Sequence, residues 1–103
     1  MSNSGLKILD CTLRDGGYYN DWDFPIEIVN KYIDAMSKSS VDIVEIGFRS
    51  LKITTPKGGL AFSTDNYLSK INIPLNIKIA VMVNASELLS SELSLSAQID
   101  KLF

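Results

Sequence analysis

The chain contains no histidine, one cysteine, no run of basic residues and no long apolar stretch. Each absence closes off a class of function. Without imidazole, a site within this chain has neither a histidine base nor a histidine ligand. That excludes a Ser-His-Asp triad, a Cys-His pair and the histidine-rich zinc sites. The lone Cys11 rules out an internal disulfide and fits a reducing compartment. A net charge of −2 leaves no electrostatic footprint for nucleic acid, so none is expected as a partner. The apolar runs fall far short of the roughly 18 residues of a membrane span, so no membrane partner is expected. The opening stretch MSNSG is polar, which reads as no signal peptide and a cytoplasmic location.

What remains is an ordinary globular composition. Of 103 residues, 46% are apolar and 21% charged, which suits one domain at most. Leu6 to Leu13 reads as a strand ended by Gly16-Gly17. Tyr18 to Asp23 reads as a loop. Pro25 suits the first turn of a helix, and Ile28, Val29, Tyr32, Ile33 and Met36 then recur at helical spacing to about Lys38. Val41 to Phe48 is the clearest strand. A long loop with Pro56 and Gly58-Gly59 follows. Gly58-Gly59 does not follow a strand in a phosphate-loop pattern. Ser63 or Thr64 can cap a short helix through Ile71, closed by Pro74. Ile77 to Val83 is a third β-branched run. Ser86 to Ser94 is a loop or short helix, and Ser96 can cap a final helix. Strands alternating with helices predict an α/β fold built of parallel βαβ units.

Period-two alternation sorts the strand faces. Val44, Ile46 and Phe48 share one face of the second strand, and Val41, Ile43, Glu45 and Gly47 the other. A central strand in such a fold is covered on both faces. Glu45 therefore needs a partner: an arginine, a metal ion, or a proton. In the first strand Leu6, Ile8, Asp10 and Thr12 share a face. Asp10, Thr12, Arg14, Asp15, Glu45, Arg49 and Asn84 all fall near the C-terminal ends of the strands, where parallel α/β folds place their chemistry. The plain structural alternatives stay open. Arg14 and Asp15 can form a turn-stabilising pair, with Gly16-Gly17 supplying positive φ. Glu45 can pair with Arg14 for structure alone. Asp10 reads as a cap or loop anchor, Cys11 as a small core residue, and Tyr18, Tyr19 and Trp22 as rim aromatics.

The string Asp10-Cys11-Thr12-Leu13-Arg14-Asp15-Gly16 resembles the D-x-T-L-R-D-G signature of the pyruvate-type aldolase and acyl-CoA lyase superfamily. That superfamily includes 3-hydroxy-3-methylglutaryl-CoA lyase and 4-hydroxy-2-oxovalerate aldolase. The longer RDGGYYNDWDF, followed by VEIGFRS, is most similar to an aldolase-like branch. The resemblance covers most of residues 6–84. It implies a (β/α)8 TIM barrel with a divalent cation, Mn²⁺ or Mg²⁺, at its C-terminal mouth. It implies that Asp15 is a metal ligand, that Arg14 polarises the substrate carbonyl and steadies an enolate, and that Glu45 lies beside that arginine. The implied chemistry makes or breaks a carbon–carbon bond of an oxo-acid or acyl substrate.

Two departures qualify the resemblance. Where such aldolases often carry a catalytic histidine, three residues after the metal aspartate, this chain has Tyr18. Tyr18, water or a group from elsewhere would then act as base. The H-x-H pair that completes the family's metal site has no counterpart here. A whole barrel takes about 250 residues, so residues 1–103 are expected to form a single partial domain: the N-terminal three βα units of the barrel, incomplete in this chain and inactive alone. Its open strand edges suggest self-association, or association with the missing barrel portion. The contrasting expectation is a non-catalytic remnant or interaction module that keeps only the fold signature.

Overall fold

The computed structural model describes residues 5–50, 56–89 and 94–103. Residues 1–4 of the polar opening, 51–55 of the expected long loop and 90–93 of the ambiguous segment lie outside the described residues. Three short strands, β1 (Leu9–Asp10), β2 (Ile43–Phe48) and β3 (Lys78–Met82), form a parallel sheet in the order β1-β2-β3. Helix α1 (Thr12–Gly16) runs into a 3-10 turn, Gly17–Tyr19, and α2 (Ile26–Ser37) links β1 to β2. A second 3-10 turn, Gly59–Ala61, and α3 (Asp65–Leu68) precede β3. Helices α4 (Ala85–Leu89) and α5 (Leu95–Leu102) follow it. The fold is thus a small mixed α/β domain, and none of its described helices is long and apolar enough to cross a membrane.

The middle of the chain forms where local pattern dictates. Pro25 takes the cap position of α2, with φ −56° and an extended ψ, and has no N–H to leave unpaired. Val29 and Ile33, one turn apart, are fully buried against the sheet. Ile28, expected on the same stripe, is instead half-exposed. On β2, Val44 and Ile46 are fully buried. The β2–β3 register breaks between Glu45 and Gly47, a bulge that re-aims the last residues of the strand. A Cβ at Gly47 would collide with the backbone carbonyl of Leu60, so glycine lets the second 3-10 turn pack directly on the strand.

Several boundaries differ from the sequence expectation. The first strand spans Leu9–Asp10 rather than Leu6 to Leu13. The Asp10 carboxylate accepts from the Thr12 N–H at 3.0 Å and the Thr12 hydroxyl at 3.1 Å, which turns the chain into α1. Thr12 is therefore helical and shares no strand face with Asp10. Gly16 and Gly17 have φ of −70° and −61°, right-handed helical values, so they do not supply the expected positive φ. In the loop that follows, Asp21 and Trp22 are left-handed instead, at φ 56° and 57°. Helix α3 ends at Leu68, short of Ile71, with Thr64 as its cap. The cap of α5 is Ser94 rather than Ser96; its hydroxyl accepts from the Ala97 N–H at 3.1 Å.

Candidate functional site at the C-terminal end of the sheet

Because the strands are parallel, their C-terminal ends lie together. Helix α1 leaves the end of β1 and packs on β2. Its Arg14 donates from Nε to Glu45 Oε1 at 2.8 Å. Both side chains are largely sheltered, at 22% and 16% exposure. The hydrogen bond to Glu45, opposed by desolvation and aided by the Glu45 charge, holds the Arg14 pKa above its ordinary value. Arg14 is therefore a fixed cation. Its Nη1 lies 3.8 Å from Asp15 Oδ1, an ion pair too long for a hydrogen bond. Among the described residues the two terminal nitrogens thus make no hydrogen bond, and Arg14 is tethered by one edge only.

The backbone of Arg14 is held as well. Its carbonyl accepts from Trp22 Nε1 at 2.9 Å. A Cβ on Gly17 would run into the Trp22 ring, so glycine allows the indole to lie against the 3-10 turn. The successive left-handed residues Asp21 and Trp22 fold the loop back to bring the indole there. Trp22 meets Phe48 edge-on at 5.3 Å between ring centroids and Tyr18 at 4.8 Å. Lys57 Nζ sits 5.4 Å from the Trp22 ring centroid.

The residues expected at the site separate into groups. Arg14 and Glu45 meet directly. Tyr18 stands on the rim, 62% exposed, with its ring against Trp22 and Phe48. Asp15 points outward at 75% side-chain exposure. Asp10 acts as the anchor of α1. Cys11 is half-buried rather than a core residue. Arg49 does not join the cluster. Its guanidinium bonds the carbonyls of Leu102 and Ser63 and the carboxylate of Asp65, tying α5 and α3 to the end of β2. Asn84 bonds the N–H and hydroxyl of Ser86 at the start of α4. Sequence reasoning missed two contacts, Trp22 to the Arg14 carbonyl and Tyr32 to Asp10. Trp22 reads as a rim aromatic and Tyr32 as one more apolar position on α2, and neither pattern reveals where a polar tip points.

The donor set for a cation is thin. Among the described residues no three of the His, Cys, Asp and Glu type stand close enough to hold a metal ion. Asp15 offers one carboxylate, whereas hard divalent ions take about six oxygen ligands. The described residues do not make a cation site by themselves.

No family model and no curated protein matches the chain. Among solved structures, it is similar to the "crystal structure of the N-terminal domain of a putative aldolase from Bacteroides vulgatus". The two share 44% identity with a TM-score of 0.70 over 79% of this chain. The match spans 27% of the Bacteroides vulgatus chain. An aldolase-like relationship is thereby supported.

Proposed function

We propose that residues 1–103 are the N-terminal part of an aldolase- or lyase-type enzyme of the pyruvate-type superfamily. It makes or breaks a carbon–carbon bond through a pyruvate or acyl enolate. The single observation that carries this reading is the Arg14–Glu45 pair at the C-terminal end of a parallel sheet. An enolate gathers negative charge on oxygen as it forms. A guanidinium already fixed in place, with donors to spare, stabilises that charge without reorganising. Glu45 orients Arg14 through the Nε hydrogen bond. Tyr18, on the rim beside the same turn, is the phenol this chain offers for moving a proton. In this reading the three strands are the first of a (β/α)8 barrel, and the substrate is a small oxo-acid or acyl compound.

Asp15 is the one carboxylate proposed toward a divalent ion, Mn²⁺ or Mg²⁺, which would supply Lewis acidity when bound. The described residues do not complete a site for it, and the role proposed for Arg14 rests on its contact with Glu45.

A second reading has an observation of its own. Leu6, Ile8 and Leu9 are 72%, 49% and 48% exposed along the edge of the sheet, which suits an interaction module. The two readings part in a chimera, with this chain in place of the matching segment of the Bacteroides vulgatus protein. On the enzymatic reading, if the parent releases pyruvate from 4-hydroxy-2-oxo acids the chimera does so too, and Arg14→Ala lowers its kcat by about 100-fold or more. An active parent beside a chimera that folds but never turns over would favour the interaction module.

A further inference from the structure

We propose that Tyr32 is a positioning residue for Arg14, acting through the Asp10 carboxylate on the turn that carries the guanidinium. The inference rests on the reading of Arg14 as the group that meets substrate. Its geometry lies outside the Arg14–Glu45 contact.

Helix α1 has five residues, Thr12–Gly16, too few to hold itself in water. Its cap residue, Cys11, makes no side-chain cap bond. Asp10 does that work from one residue upstream. It binds the Thr12 N–H with Oδ1 and the Thr12 hydroxyl with Oδ2. Asp10 ends a strand of only two residues, so little strand pairing fixes it. The Tyr32 hydroxyl supplies what is missing by donating to Asp10 Oδ1. Tyr32 stands on α2, whose Val29 and Ile33 are fully buried, so the bond ties the start of α1 to a packed body. The middle of α1 is tied by Trp22 Nε1 to the Arg14 carbonyl. From the residue that carries this second tie, the Arg14 side chain reaches Glu45 at 2.8 Å. Loosening the first tie lets α1 swing on the second and draws the guanidinium off Glu45. The phenol is protonated and serves as donor throughout the neutral range, and burial and the bond to Asp10 push its pKa further up, to about 12.

The test uses the 103-residue chain with Tyr32→Phe, which keeps the ring and removes only the hydroxyl. Two signals report on the turn: solvent exchange of the Arg14 Nε–H in NMR, and the emission of Trp22, the only tryptophan. The expected result is exchange faster by about tenfold and a red-shifted emission, with the Val44 and Ile46 amide signals unmoved. Asp10→Asn gives the same signature by weakening the same bond from its other side. Unchanged Nε–H exchange and emission in both variants would overturn the proposal. These signals read geometry rather than turnover. The clamp can therefore fail while the aldolase reading stands, and an inactive chimera leaves the clamp intact.

Discussion

Glu45 fixes the position of the Arg14 guanidinium, and its replacement exposes that contribution. In Glu45→Ala the sheltered guanidinium loses its one close hydrogen bond. Losing a charged hydrogen bond at this partly exposed site should lower the urea midpoint. Asp15, by contrast, is largely solvated. Asp15→Asn should shift stability by less than about 0.5 kcal/mol. A loss larger than that would show Asp15 holding the turn rather than facing a ligand. Tyr32 gives a pH dependence with a defined sign. Its folded pKa of about 12 lies above the ordinary value of 10.0. The unfolded chain therefore loses this proton first as pH rises. The stabilisation is complete below about pH 10 and disappears between about 10 and 12. Denaturation midpoints followed across that range should fall, and less steeply in Tyr32→Phe. Tyr67, raised by its burial and by Asp23, keeps some slope in the variant.

The longer elements were legible in the sequence because their causes are local. Pro25 and a 3.6-residue apolar repeat announce α2, and its observed bounds, Ile26–Ser37, follow them closely. The β-branched run of VDIVEIGF announces β2 in the same way. The start of the fold was misread because one side chain overrides the apolar pattern. Asp10 captures the Thr12 N–H, and the backbone leaves the strand three residues before the pattern ends. The site was half legible. The polar groups clustering at the strand ends anticipated Arg14 beside Glu45. Arg49 and Asn84 looked equivalent by position, yet both are committed to backbone and helix-end bonds that only tertiary packing creates. The bulge in β2 likewise has no signature in composition. At this scale Gly17→Ala is the informative change, since its Cβ would displace the Trp22 ring. It should destabilise by about 1–3 kcal/mol and red-shift the tryptophan emission. An unshifted emission would mean that the indole does not rest on Gly17.

The described residues form a three-stranded parallel sheet with its helices, and apolar side chains are exposed along the β1 edge. Parallel sheets are ordinarily covered on both faces and closed or flanked at their edges. The Bacteroides vulgatus structure to which the chain is similar is longer, and the match spans 27% of it. On the proposed reading, acceptor specificity would lie in segments beyond these strands.

The central claim is that Arg14 stabilises an enolate, and the exchange of pyruvate methyl protons for deuterium in D₂O reads enolate formation without needing any aldehyde partner. Measured by NMR on the chimera described above, with the unmodified Bacteroides vulgatus protein as reference, exchange should run well above the buffer rate. It should fall by about 100-fold or more in Arg14→Ala. Exchange that proceeds equally fast without the guanidinium would contradict the account.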